Sequence, residues 1–333
     1  MKNKEKKSLI SRFLSLNGSG VLVAMIVFIA AVSIAAPYIT GGAFLTQSNI
    51  TNVFRQQTHI GIIACAMTYV IITGNIDLSV GSLLTLLVVL CAKFTNIGPW
   101  AAIFMTLGLG ILAGAINGAL VSGLKLNAFI TTLGTGSIFG ALTMIIASGH
   151  TVRITEPVFD FIGSGYLFGF LPVAVLVLLI VVVISAIVLK RTVFGQRLYA
   201  IGSNPTAARF SGIRSRLDVF LTYVLTGFCC GLAAVIYIAR SVSANPQIAS
   251  GKEMDIILAV VLGGTSILGG RGSIWGSVIG FLFIGFMSAG FTFLGLNQYT
   301  QWIIMGVILV IALAIDVANE KGVKLWKRKA SGS

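Results

Sequence analysis

Long apolar stretches alternate with short polar stretches along almost the whole chain. A helix needs roughly 20 predominantly apolar residues to cross the hydrocarbon core of a bilayer. Ten stretches approach or reach that length, and they predict ten transmembrane helices, spans 1 to 10, at residues 20–39, 52–73, 80–96, 100–122, 129–147, 168–189, 219–238, 256–268, 274–294 and 302–317. Span 8 is short for a full crossing, so we expect a half-helix or a helix lengthened by its flanks. The pattern predicts an all-α integral membrane protein.

Composition supports a membrane protein and argues against a soluble one. Hydrophobic residues make up 56% of the 333 positions and charged residues only 10%, whereas soluble domains carry about 25% charged residues. The 39 glycines and only 6 prolines suit closely packed membrane helices. We therefore predict one transmembrane domain at residues 20–318, between a cytoplasmic segment at 1–19 and a basic cytoplasmic tail at 319–333.

The net charge of +14 is distributed as a topology signal. Positive residues lie between and beyond the spans and are not interleaved with stacking aromatic residues, so no nucleic-acid partner is expected. If the N-terminus is cytoplasmic, only five of the 23 Lys and Arg residues fall outside: Arg55, Lys93, Arg153, Arg240 and Lys252. By the positive-inside rule both termini are predicted to be cytoplasmic. Span 1 is too long for the apolar region of a signal peptide, so we expect it to be retained.

Two spans carry glycines at every fourth position, which predicts an internal repeat. Such rows let helix backbones approach closely in a membrane. The two rows are Gly110, Gly114 and Gly118 in span 4, and Gly272, Gly276 and Gly280 at the start of span 9. Polar junctions also precede spans 3 and 8. Spans 2–5 and 7–10 are therefore predicted to be inverted repeats, as in many transporters, with chance spacing in a glycine-rich chain as the alternative.

The sequence offers no pattern typical of catalysis, metal binding or nucleotide binding. The four cysteines lie inside spans without metal-ligand spacing. His59 and His150 lack a partnered nucleophile or base, and we expect both at the membrane interface. The glycine-rich stretch 262–272 lacks the Lys and Ser/Thr of a phosphate loop. We predict a protein that is not an enzyme and has no metal site; ATP-driven transport would need a separate ATPase.

Polar residues beside helix breaks or helix ends are candidates for lining a translocation path. Asp77 is the most conspicuous, because an acid beside apolar spans is costly. It is placed either to cap span 3 or to contact the substrate or a gate. An ion relay is disfavoured, because no second acid or histidine lies mid-span. The candidate residues are Asp77, Asn127, Thr131, Thr132, Asn245 and Ser266.

The hydrophilic loop after span 6 is predicted to be cytoplasmic, at residues 191–216. It mixes small, polar and apolar residues, with a turn at Asn204-Pro205 and a short helix after it. A loop that only sets topology would need charges alone. Its composition favours a surface helix that docks into a partner's groove, and a linker anchored at the membrane by arginines is the alternative.

Three segments together resemble the permease subunits of bacterial ABC sugar importers of the ribose type, within the branched-chain amino acid/ribose permease superfamily. They are residues 74–82 (GNIDLSVGS), the loop at 190–213, and residues 258–272 (LAVVLGGTSILGGRG). The resemblance spans nearly the whole chain. The first segment departs from the family pattern, because Asn75 stands where a second glycine is usual, so the resemblance does not name the sugar.

The resemblance implies a permease in the bacterial inner membrane that imports a monosaccharide, ribose-like or related, by alternating access. It implies cytoplasmic ABC ATPase subunits that bind ATP and Mg²⁺, an extracytoplasmic sugar-binding protein, and a second permease copy or paralogue. It also implies that the cytoplasmic loop couples to the ATPase through Gly195, Gly202, Asn204, Pro205, Ala207, Ala208 and Gly212. A nucleoside permease, a branched-chain amino acid permease and an ion-coupled secondary transporter remain alternatives.

Overall fold

A computed structural model describes residues 19–247 and 251–320, so most of the predicted N-terminal segment and tail lies outside the described residues. Helices dominate the described chain, with four strands of two residues each. The helices are α1 (Ser19–Thr40), α2 (Gln47–Ile72), α3 (Val80–Phe94), α4 (Pro99–Gly118), α5 (Ala128–Ala147), α6 (Pro157–Ser164), α7 (Val173–Arg191), α8 (Val193–Ser203), α9 (Pro205–Phe210), α10 (Ser215–Ser241), α11 (Lys252–Leu262), α12 (Ile274–Phe293) and α13 (Gln298–Glu320). A π-helical turn, Ala119–Gly123, extends α4.

Every predicted span overlaps one helix, although two predicted ends were wrong. Spans 1–5 correspond to α1–α5, span 6 to α7, and spans 7–10 to α10–α13. Span 6 was begun too early, because β2 (Tyr166–Leu167) and β3 (Leu171–Pro172) form a hairpin ahead of α7. Span 8 was extended too far, because α11 ends at Leu262 and Gly264 adopts a left-handed conformation.

The described chain has six helices long and apolar enough to cross a membrane: Gly20–Thr40, Pro99–Gly123, Ala128–Ala147, Val173–Arg191, Ser215–Ser241 and Ile274–Phe293. Peripheral helices also expose large apolar side chains that water would not favour. Ile130 and Ile145 of α5 and Ile184 of α7 are each more than half exposed. The all-α, multi-pass membrane fold predicted from the sequence is confirmed.

Helix α2 forms the centre of the bundle, and its residues from Gln57 to Ile72 are all buried. A helix that is buried on every side must be surrounded by other helices. Helix α10 packs against α2, α3 and α4, and α12 packs against α2, α11 and α1. On one end of the bundle α6 lies against α10, and β1 (Val152–Arg153) pairs antiparallel with β4 (Ser243–Ala244).

The glycines of the two rows lie at close helix contacts, except Gly272, which lies in the loop before α12 and not on the helix as predicted, because α12 begins only at Ile274. A Cβ atom placed on Gly114 would overlap the backbone oxygen of Tyr223 on α10, and one on Gly110 would overlap that of Gly227. In the second row, a Cβ atom on Gly280 would overlap the backbone oxygen of Ala259 on α11. Glycine at these positions therefore permits direct backbone contact between α4 and α10 and between α12 and α11.

Two of the helices that follow polar junctions are too short to span a bilayer. Helix α3 has 15 residues and α11 has 11. At 1.5 Å per residue they extend about 22 and 16 Å, less than the roughly 30 Å of a hydrocarbon core. Most of α3 is buried among longer helices, and α11 is buried from Ile256 to Val261.

Candidate functional site

A deep groove of about 1070 Å³ lies between α3, α5, α11 and α13. Small or neutral residues form much of its wall, including Ser82 and Thr85 of α3 and Gly136 and Gly140 of α5. The first turn of α11 adds charged residues at one end, and Leu78 of the α2–α3 junction also contacts the groove. A volume of this order accommodates a small organic ligand.

A network of buried hydrogen bonds fixes the polar junction between α2 and α3. The carboxylate Oδ1 of Asp77 accepts hydrogen bonds from the backbone N–H (2.9 Å) and the hydroxyl (2.6 Å) of Ser79. The amide of Asn117 on α4 donates to the Ser79 hydroxyl at 2.8 Å. The backbone N–H of Leu78 donates to Oγ1 of Thr132 on α5 at 3.0 Å. These contacts join the junction to two neighbouring helices.

Asp77 lies two residues before Ser79, the N-cap of α3, and its carboxylate holds that residue in place behind the wall of the groove. Its side chain is buried, and Leu78, rather than Asp77, faces the groove. Thr132 is brought to the same junction through Leu78, whereas Thr131 is half-buried on the next position of α5. The structure therefore gathers Asp77 and Thr132 around one junction.

The remaining path candidates lie apart from that junction. Asn127 is exposed and caps α5, where its side-chain oxygen accepts from the N–H of Ile130 at 3.2 Å. Asn245 is exposed and accepts from the N–H of Gln247. Ser266 is buried in the loop after α11, where its N–H donates to the carbonyl of Arg271. None of the six candidates is among the residues lining the groove, so their role in the path stays a prediction.

The predicted cytoplasmic loop folds into two short helices, α8 and α9, each begun by a side-chain cap. The Thr192 hydroxyl accepts from the N–H of Gly195, and Oδ1 of Asn204 accepts from that of Ala207 at 2.9 Å. Gly195 lies against the backbone of Leu189 at the turn from α7. Pro205, Ala207 and Gly212 are exposed, whereas Ala208 is buried.

One large residue on this surface was missed by the sequence reasoning. Phe210, the last residue of α9, is 88% exposed and is flanked by the exposed Arg209. The loop residues predicted to couple to the ATPase were restricted to small residues and helix-breaking residues. An apolar residue inside a basic hydrophilic loop was the signal that could have identified it.

The three sequence segments that carry the family resemblance meet at one point. A Cβ atom placed on Gly202, at the end of α8, would overlap the carbonyl of Ile72 at the end of α2. The N–H of Gly270 donates to that same carbonyl at 2.9 Å. The hydroxyl of Tyr199 on α8 donates to the carbonyl of Gly272 at 2.8 Å. Helix α8 therefore directly contacts the end of α2, just before the α2–α3 junction, and the glycine-rich loop that follows α11.

His59 is buried inside the bundle, and its predicted position at the membrane interface stays a prediction. It is 4% exposed and lies inside the bundle, with its ring 4.9 Å from that of Tyr237 in an edge-to-face contact. It borders a second cavity, of about 410 Å³, between the middle of α2, the end of α10, the start of α11, the second half of α12 and the start of α13. His150, by contrast, is exposed at the end of α5. Alternation with apolar neighbours does not distinguish an interfacial histidine from one that faces an internal cavity.

Comparison with known proteins places the chain in a transport family. Residues 49–313 match the family described as branched-chain amino acid transport system / permease component. The ribose import permease protein of Bacillus subtilis is 38% identical over 301 residues, 89% of this chain and 92% of that protein. The ribose import permease protein of Haemophilus influenzae is 36% identical, over 95% and 97% of the two chains. The fructose import permease protein of Rhizobium meliloti is 34% identical, over 90% and 86%.

No solved structure matches the chain. The family match covers most of the sequence, including all three segments that meet around Gly202. The relatives are transport components rather than enzymes. The chain belongs to the family of transport-system permease components.

Proposed function

We propose that this chain is the membrane-spanning subunit of an ATP-driven ABC importer, which moves a monosaccharide into the bacterial cytoplasm by alternating access. Both termini and the loop at 191–216 lie in the cytoplasm, and the protein resides in the inner membrane. A partner ABC ATPase binds and hydrolyses ATP with Mg²⁺, and an extracytoplasmic binding protein delivers the sugar. A second permease copy or a paralogue completes the membrane core.

The observation that carries this proposal is the direct contact between the loop helices and the polar junction beside the groove. Gly202 lies against the carbonyl of Ile72, immediately before the α2–α3 junction that contains Asp77. Leu78 of that junction lines the groove. Only a few residues separate Ile72, which Gly202 contacts, from Leu78, which lines the groove. A partner that moves α8 and α9 therefore also displaces the groove wall. Coupling through packed elements of this kind is how a cytoplasmic ATPase drives a membrane path.

The arrangement of short helices also supports the proposal of an inverted repeat. In the proposed halves α2–α5 and α10–α13, the second helices are α3 and α11, and both are short and both line the groove. Helix α4 packs on α3 and α10, and its counterpart α12 packs on α11 and α2. Short helices at matching positions in two halves point to the transport site in secondary transporters, and the same logic applies here.

A sugar is the substrate class that the relatives and the groove favour. The relatives named above import ribose and fructose. Away from its charged end the groove offers hydroxyl side chains and small residues, such as Ser82, Thr85 and Ser137, which suit the hydroxyl groups of a sugar. Under the proposed topology the groove opens on the extracytoplasmic side, because its charged end is formed by the start of α11.

The coupling role is tested by reconstitution of the chain with its ATPase and binding protein in vesicles. Gly202→Ala is expected to reduce ATP-driven uptake of labelled ribose while ATPase association persists, because its Cβ overlaps the Ile72 carbonyl far from the exposed face of α9. Asn204→Leu removes the cap of α9 and is expected to weaken association itself. Gly134→Ala, which meets open space, serves as the control. Normal uptake by both variants with intact ATPase association would overturn the coupling role.

A further inference from the structure

The second cavity, which we name the outer cavity, lies beside the groove and shares a wall with it. Its volume is about 410 Å³. Lys252 and Asp255, whose side chains pair at 2.9 Å, belong to both linings, as do Trp302 and Met305. The ends of α10 and α12 and the starts of α11 and α13, all of which border the outer cavity, lie on the extracytoplasmic side under the proposed topology. A ligand in this cavity would therefore lie next to the entrance of the groove.

Two buried polar side chains of the outer cavity lack a hydrogen-bond partner. Oε1 of Gln57 and Nε2 of His59 are both buried and unpaired, and their residues are only 3% and 4% exposed. Burial of polar atoms without partners is unfavourable, so the two atoms require an explanation, and a polar species bound in the adjoining cavity is one that fits. On the opposite wall the side-chain amide of Gln301 already has hydrogen-bond partners, namely Ser288, Thr292 and the carbonyl of Leu296.

The cavity also contains a cation without a carboxylate partner. Within the described residues the two ion pairs are Arg197 with Asp218 and Lys252 with Asp255, and neither involves Arg240. The Arg240 guanidinium lies 5.9 Å from the centre of the Tyr237 ring. Arg240 therefore supplies hydrogen-bond donors to the cavity that Gln57 and His59 also line.

The hydrogen-bond capacities of these groups select the chemistry of the ligand. The amide oxygen of Gln57 only accepts, the guanidinium of Arg240 only donates, and a neutral imidazole nitrogen does one or the other. A simple anion would pair with Arg240 but leave the Gln57 oxygen without a donor. An apolar ligand would satisfy neither. A hydroxyl group both donates and accepts, so a neutral polyol matches the whole set, and Trp302 and Tyr237 provide aromatic surfaces for its C–H faces.

We propose that the outer cavity is a monosaccharide-binding site of the permease chain itself, in which Gln57, His59 and Arg240 bind sugar hydroxyls. The inference rests on the proposed function, since it makes the imported sugar the ligand. It adds a site at which the permease holds the sugar between its release by the binding protein and its entry into the groove. Selectivity then arises partly in this chain.

The test is equilibrium binding of radiolabelled D-ribose to the purified full-length chain in lipid nanodiscs. Gln57→Leu and His59→Phe preserve most side-chain volume, and each is expected to weaken binding about tenfold by removal of one buried hydrogen bond. Trp302→Leu, at a half-exposed position that the fold tolerates, is expected to weaken binding as well. The control is Thr58→Val, since Thr58 is buried between the two on α2, bonds to the carbonyl of Phe54 and does not line the cavity.

Uptake measured with the same proteins separates the two proposals. Affinity that is the same in the wild type and all three cavity variants would show that water alone satisfies Gln57 and His59, and would overturn the inference. Ribose uptake by the wild-type complex without detectable binding to the chain would also overturn it, while the proposed function stands. Absence of both ribose and fructose uptake by the wild-type complex would refute the proposed function, and the inference with it.

Discussion

The contact between α4 and α10 gives the sharpest stability prediction. The perturbation is a single methyl group, introduced by Gly114→Ala on the face of α4 that touches α10. The added Cβ would overlap the carbonyl oxygen of Tyr223 and lie 3.1 Å from the Cα and the backbone nitrogen of Gly227. These are backbone atoms of a helix that also packs on α2 and α3, so they cannot yield without displacement of α10.

The magnitude follows from two opposing effects. Alanine in a helix interior is more favourable than glycine by about 1 kcal/mol. Overpacking of a tight contact costs about 1–3 kcal/mol. Gly108 lies on the same helix but faces open space, so Gly108→Ala has the first effect without the second. The difference between the two variants therefore isolates the overlap, and Gly114→Ala is expected to be about 1–3 kcal/mol less stable than Gly108→Ala.

The assay is unfolding of the purified chain in mixed micelles, with helicity and tryptophan fluorescence followed against denaturant. Agreement between the two probes shows whether one cooperative transition is measured. The expected result is a lower midpoint for Gly114→Ala and an unchanged or higher midpoint for Gly108→Ala. Equal midpoints for the two variants would contradict the close backbone contact on which the packing of α4 depends.

Three further predictions concern the junction and the cytoplasmic surface. Asp77→Ala removes the acceptor of two Ser79 hydrogen bonds and should lower the free energy of unfolding in micelles by about 1–2 kcal/mol. Asp77→Asn keeps an acceptor oxygen there and should lower that free energy by less. Equal losses for the two variants would contradict this role of Asp77. Phe210→Ser should leave the unfolding free energy within about 0.5 kcal/mol of the wild type but reduce capture of the partner ATPase; full capture would exclude Phe210 from the docking surface. Tyr199→Phe removes the hydrogen bond to Gly272 and should lower uptake per ATP hydrolysed, measured in vesicles; an unchanged ratio would show that this contact does not transmit motion.

The sequence predicted the helices well, because a membrane makes hydrophobic length the dominant signal. Every apolar stretch overlaps a helix, and the shortness of span 8 is seen in α11, which has 11 residues. The errors fall where glycines or a hairpin interrupt an apolar run, as at Gly264 and before Val173. Apolar composition continues through those turns, so hydrophobicity alone cannot mark the end of the helix.

The candidate site was less predictable, because it is built from contacts between distant segments. The spacing of Gly110 and Gly114 predicted a close helix contact but carried no information that the neighbour is α10. The outer cavity draws on five helices, and no local pattern relates His59 to Arg240. Polar residues near helix ends were chosen as path candidates, yet Asp77 and Asn127 accept local backbone hydrogen bonds, as short polar side chains at helix ends commonly do.

Energy-dependent uptake tests the central claim most directly. Labelled ribose uptake is measured in vesicles that contain the chain, its partner ATPase and the binding protein, and in vesicles without the ATPase under an imposed ion gradient. The account predicts uptake that requires ATP, the ATPase and the binding protein, because the proposed role of this chain is to form the sugar path and leave ATP hydrolysis to a partner. Uptake driven by the ion gradient in the absence of the ATPase would contradict it and identify an ion-coupled transporter.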